Sequence, residues 1–139
     1  MPCHPLTYDN LASVAATHDP TKPIYVLNLW KYRSTALYAP EHAHLAGLPC
    51  TGREATVRYR AALQPLLPPG AEVFFASNVL AEVAAPEGEK WNTAIIVRYQ
   101  TLAGFRKMAE CKTYKEEVEP HRLAGLEDFR LLMLEKLKF

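Results

Sequence analysis

The stretch Ile24-Tyr25-Val26-Leu27-Asn28-Leu29-Trp30-Lys31-Tyr32 decides the fold. β-Branched and aromatic residues dominate it, which suits a pleated strand. Its apolar run is nearly continuous, as in a strand covered on both faces. Side chains alternate along a strand, so Ile24, Val26, Asn28 and Trp30 share one face and Tyr25, Leu27 and Leu29 the other. Asn28 is then a polar group in an apolar setting and must find hydrogen-bond partners there. Upstream, Thr7 to Thr17 reads as a helix: Thr7 suits the cap, Asp9 the positive first turn, and Tyr8, Leu11, Ala12 and Ala15 one apolar stripe. Asp19-Pro20 and Lys22-Pro23 stop it before the strand.

Downstream, Arg33 to Gly52 carries Pro40, Gly47, Pro49 and Gly52 and reads as irregular. A loop of this length is either a functional lid or a mobile connection. A helix follows from Arg53 to Leu67, with Ala55, Tyr59, Ala62, Leu63 and Leu66 on one face and Leu67-Pro68-Pro69-Gly70 as its stop. Glu72–Val83 and Trp91–Tyr99 read as strands joined through Ala85-Pro86-Glu87-Gly88-Glu89. Thr101 can cap a helix bearing Leu102, Phe105 and Ala109, and Thr113 another bearing Tyr114 and Val118. Pro120 breaks that pattern or starts a new turn, Gly125 ends it, and Asp128–Lys136 returns as a strand. The order predicts an α+β fold: an extra N-terminal helix and linker over 1–22, then a ferredoxin-like βαββαβ domain with a four-stranded antiparallel sheet over 23–139.

A chain of 139 residues fits one domain with its own core. A formal net charge of +1 and no cluster of Lys and Arg argue against nucleic acid or an anionic membrane as partner. Cys3, Cys50 and Cys111 are scattered, odd in number and outside any redox or zinc spacing, as in reduced thiols. The N-terminus lacks a charged start followed by an apolar run, and no apolar run approaches the roughly twenty residues a membrane span needs. A cytoplasmic protein is the expectation.

Several phrases carry a resemblance: Val26-Leu27-Asn28-Leu29-Trp30-Lys31, Cys50-Thr51-Gly52-Arg53-Glu54-Ala55 with Arg58-Tyr59, Trp91-Asn92, Tyr114, and Pro120-His121-Arg122-Leu123-Ala124-Gly125-Leu126-Glu127-Asp128-Phe129-Arg130-Leu131. Together they resemble the dimeric α/β barrel superfamily, in an uncharacterised bacterial and fungal branch. The likeness spans Ile24 to Lys136, and the His121-to-Leu131 phrase is its most specific part. The superfamily includes cofactor-free monooxygenases, polyketide cyclases such as olivetolic acid cyclase, isomerases, haem proteins and members with no known activity. The resemblance implies a homodimer whose sheets pack face to face, with a pocket between sheet and helices in each protomer. A shared fold does not select a chemistry.

His42 and His44 lie two apart in Glu41-His42-Ala43-His44, so in an extended segment both rings point one way. They would serve as acid–base groups or sit on a solvated loop. No third metal ligand lies nearby, so no metal is expected. His121 is the other acid–base candidate, since histidine titrates near neutrality. If the helix continues through Pro120, then Tyr114, Val118 and His121 share one face, turned towards the sheet. The alternative is a structural role, with Arg122 pairing with Asp128 or Glu127. Tyr25, Asn28, Trp30, Tyr59, Asn78, Trp91, Arg98 and Tyr114 are the candidate substrate-binding set, since aromatic walls with a few polar groups suit a flat apolar ligand. Each could instead be core, interface or solvent-facing. Gly-rich phosphate loops, His-Glu-x-x-His and nucleophile-elbow motifs are absent from the sequence.

These readings converge on a small cofactor-independent enzyme, a lyase or isomerase of polyketide cyclase kind. It would act on an aromatic or polyketide-like molecule by general acid/base cyclisation, isomerisation or dehydration, as in secondary-metabolite biosynthesis. The alternatives are a cofactor-free monooxygenase and a non-catalytic dimer that binds a hydrophobic ligand.

Overall fold

A computed structural model describes residues 3–139. Helix α1 spans Tyr8–Ala15, strand β1 Ile24–Tyr32, the single-turn helix α2 Ala43–Ala46, and α3 Gly52–Leu63. Strands β2 (Glu72–Asn78) and β3 (Thr93–Tyr99) follow, then α4 (Leu102–Ala109), a π-helical turn (Tyr114–Val118), α5 (Glu119–Gly125) and β4 (Leu126–Leu134). The four strands form one antiparallel sheet in the order β2-β3-β1-β4, the expected βαββαβ arrangement.

β1 is central, which is why its apolar run is nearly unbroken. Ile24, Val26 and Trp30 are buried on the helix side, opposite Tyr99, Val97 and Thr93 of β3. One core joins Ile24 and Val26 to Leu11 of α1, Tyr99, and Leu102, Phe105 and Met108 of α4. Another joins Trp30 to Tyr59 of α3, Tyr114, Val118, Leu126 and Phe129. Asn28 reconciles its polarity by donating to the carbonyls of Val26 and Ile95, at 3.3 and 3.4 Å.

The helix boundaries have local causes. Thr51 and Glu54 form a reciprocal capping box that starts α3. Thr101 caps α4 by accepting from the Gly104 amide. Thr7 and Thr113, expected to cap, make no side-chain cap bond. Pro120 sits in the first turn of α5, where its missing N–H costs nothing, and the π turn before it keeps both Tyr114 and Val118 buried. β2 ends at Asn78, not at Val83, and its register with β3 shifts between Val73 and Phe75. The bulge adds twist to an edge strand.

The irregular segment from Arg33 to Gly52 is tied down at its ends. The Arg33 amide donates to the Gly125 carbonyl, and the Gly52 amide donates to the Arg33 carbonyl. A Cβ on Gly52 would collide with the backbone of Arg33 and Gly125, so only glycine fits this crossing of α3 and α5.

The side of the sheet that carries no helices is apolar in its middle, with Arg98, Glu72 and Arg130 on the same face. Tyr25, Leu27 and Leu29 of β1 are half-buried there, and Phe75, Ile96, Leu132 and Leu134 share that face by register. Phe75, Leu132 and Leu134 remain exposed, and Phe74 packs edge-on against Tyr25 at 5.1 Å.

Candidate functional site

A cavity of about 430 Å³ lies between α3 and the helix side of β1, β2 and β3. This lies within the size range of small-molecule pockets. Asn28, Trp30, Ile95, Val97 and Tyr99 form its sheet wall. Tyr59, Arg60, Leu63, Gln64 and Leu67 form its helix wall, a stripe that follows from helical periodicity along α3. Ala76 and Val73 line it from β2, where register places their side chains on the helix side opposite Ile95 and Val97.

Three ring residues define the inner end. Trp30 and Tyr59 meet edge-to-face at 6.3 Å, and Tyr59 meets Tyr114 in the same way at 6.4 Å. The Tyr59 and Tyr114 hydroxyls are 3.0 Å apart. Burial, with Tyr114 beside it, pushes the Tyr59 phenol well above its ordinary range, so it stays protonated as a hydrogen-bond donor. Trp30 is 5% exposed, yet its indole Nε1 has no partner among the described residues. A buried N–H without an acceptor costs about 1–3 kcal/mol.

Behind the tyrosine pair lies a buried ionic cluster. Arg122, 1% exposed, donates to Glu119 at 2.8 Å, to the His4 carbonyl at 3.1 Å and to the Cys3 sulfur at 3.3 Å. Its guanidinium also stacks on Phe129. Arg122 therefore pairs with Glu119; Asp128 pairs instead with Arg130 and Glu127 with Lys31. The reason is geometric: Glu119 lies one helical turn before Arg122, whereas β4 carries Glu127 and Asp128 away from α5.

His121 stands elsewhere. Its Nδ1 is 2.6 Å from the Tyr38 hydroxyl, and the rings meet edge-to-face. It therefore turns to the 33–52 loop, not to the sheet as the helical spacing suggests. Arg58 approaches the same hydroxyl at 3.5 Å while holding the carbonyls of Ala46 and Leu48. Desolvation, then the Arg58 charge, lowers the His121 pKa and keeps the ring neutral. Tyr38 lines a second cavity of about 260 Å³ with Ala43, Gly47, Leu48 and Cys50. His42 is half-buried just before α2 and His44 is exposed on it.

Of the residues singled out from sequence, Asn28, Trp30 and Tyr59 line the cavity under α3, with Tyr114 directly behind Tyr59. Tyr25 and Arg98 lie on the helix-free face of the sheet, and Asn78 is exposed at the end of β2. Trp91 is buried beneath the Arg130 guanidinium. His121, His42 and His44 do not line this cavity. Tyr38, Arg58, Arg60 and Gln64 were not singled out. The i, i+4 spacing of Arg60 and Gln64 beside Tyr59 and Leu63 is the signal that marks the last two. Among the described residues no three His, Cys, Asp or Glu side chains cluster to hold a metal ion.

Two solved structures match the chain along nearly its whole length. One is methylated RPA0582 protein, at 32% identity and a TM-score of 0.81, covering 99% of this chain and 98% of that one. The other is RPA0582 from Rhodopseudomonas palustris, a protein of unknown function, at 29% identity and a TM-score of 0.81, covering 99% of both chains. No protein-family model and no curated protein matches the chain.

Proposed function

For a chain that belongs to the same family as RPA0582, we propose a small cofactor-independent protein that takes a flat, mostly apolar molecule, aromatic or polyketide-like, into the cavity under α3. The observation that carries this reading is the cavity of about 430 Å³ between α3 and the sheet, walled by Trp30, Tyr59 and Tyr99. Trp30 and Tyr59 supply ring contacts, and Asn28 and Gln64 are the neutral polar side chains in the same lining.

A second copy of the chain covers the apolar face formed by Leu27, Phe75, Ile96 and Leu132, giving the two-sheet barrel that the resemblance implies. Apolar side chains of this size make a contiguous patch that a lone protomer leaves in water.

Calorimetric titration with methyl 6-hydroxy-2-naphthoate tests the binding reading. Micromolar affinity that falls at least tenfold in Ala76→Trp, which fills the cavity, supports it. No binding, or binding unchanged in Ala76→Trp, overturns it.

The acid–base enzyme is a second reading, favoured by the neutral His121 held against Tyr38 at 2.6 Å beside the smaller cavity. A histidine so placed accepts a proton near neutral pH. Loss of turnover of polyketide-like ketones in His121→Ala, with naphthoate-ester binding intact, supports it. Unchanged turnover in that variant removes it.

A further inference from the structure

The charge of the ligand can be read from the outer end of the same cavity. Resting on the binding reading above, we propose that the ligand is a carboxylic acid bound as its carboxylate, with its rings between Trp30 and Tyr59 and its anionic end at Arg60.

Arg60 in the last turn of α3 and Gln64 at its C-cap stand one turn apart, line the cavity and are exposed, which places them at its mouth. Among the described residues Arg60 pairs with no carboxylate, whereas Arg106, Arg122 and Arg130 each have one. The one acidic residue in the lining is Glu72. It lies opposite Arg98 in the β2–β3 ladder, and opposed residues share a face. Arg98 is opposite Tyr25, so Glu72 projects from the helix-free side and leaves its backbone to the cavity. The cavity therefore offers aromatic walls at the inner end and a cation without a partner at the outer end. A guanidinium binds a carboxylate through paired N–H donors and discriminates it from an ester. A flat ring system carrying a carboxylate at one end satisfies both.

Two probes of one shape separate the charge from the rings: 6-hydroxy-2-naphthoate and its methyl ester, titrated calorimetrically into the full chain at pH 7.5 and about 0.1 M salt, where surface charges are not fully screened. The acid is expected to bind five- to tenfold more tightly than the ester. Arg60→Gln should erase that preference, and Arg60→Glu should reverse it. Equal affinity of acid and ester in the parent chain, or a preference that survives Arg60→Gln, overturns the inference while the cavity reading stands. Failure of both probes to bind overturns the two together. Arg60 is exposed, so its replacement leaves the core intact.

Discussion

Tyr38 and His121 are joined across 83 residues of chain by a 2.6 Å hydrogen bond, with the Arg58 guanidinium at 3.5 Å on the same hydroxyl. Arg58 only donates, so the Tyr38 oxygen accepts from it and its O–H donates to His121 Nδ1. That leaves the imidazole neutral with its proton on Nε2. Protonating the ring would remove the acceptor and set two cations on one hydroxyl.

The pH dependence follows. Desolvation and Arg58 hold the folded His121 pKa below the unfolded value of about 6.5. Above that value both states are neutral and the group contributes no slope. As pH falls through it the unfolded chain takes up the proton first, so the fold loses stability until the folded pKa is reached. His18 has the opposite sign, because its bond to Glu135 at 2.7 Å raises its pKa and its contribution fades as pH rises. Urea unfolding between pH 5 and 7.5 should show a loss on acidification that is smaller in His121→Gln and larger in His18→Gln. An unaltered slope in His121→Gln would contradict the assignment.

Gly125 tests the crossing of α5 over α3. A Cβ there would meet the Gly52 carbonyl oxygen at 2.6 Å and the Ala55 Cβ at 3.0 Å. Gly125→Ala should cost about 1–3 kcal/mol, the range for overpacking a filled site. For a domain of this size that lowers Tm by several degrees, readable by calorimetry.

Glu119 neutralises a guanidinium that has almost no access to water. Removing one partner of such a pair strands the other charge, at about 3–5 kcal/mol. Glu119→Leu should therefore approach the unfolding limit in denaturant titration. The double change Glu119→Leu, Arg122→Met should recover much of the loss, since apolar replacement of a whole buried pair is often neutral.

The helix-free sheet face gives a prediction about assembly. Leu132→Glu places a charge on that face, opposite Leu27. Sedimentation equilibrium should show the parent chain as a dimer at micromolar concentration and Leu132→Glu as a monomer with an intact far-ultraviolet spectrum. A monomeric parent chain would remove the barrel proposal.

The strand order and three of the four strands were legible because their signals are local. Ile24–Tyr32 matches the observed strand end to end, since prolines before it and a central place in the sheet give it a strong pattern. The strand from Glu72 was read too long because Val79–Val83 keeps a strand-like composition after pairing has stopped. The π turn was invisible, since periodicity at 3.6 cannot register one extra residue per turn. At the site, Asn28, Trp30 and Tyr59 were legible as polar or aromatic residues on inward positions. Tyr38 was not, because nothing in a loop's composition says which helix it will touch. Arg122 was read onto the wrong partner for a related reason: both candidates downstream were acidic, and only the turn of α5 separates them from Glu119.

The Gly52 amide, donating to the Arg33 carbonyl, closes the segment between them into a ring. Lengthening such a ring costs little, because closure entropy grows only with the logarithm of its length. Between the anchors at Leu37, Tyr38, Ala46 and Leu48, the stretch from Ala39 to Leu45 is therefore the place where this scaffold can take up or lose residues without disturbing the register of its sheet.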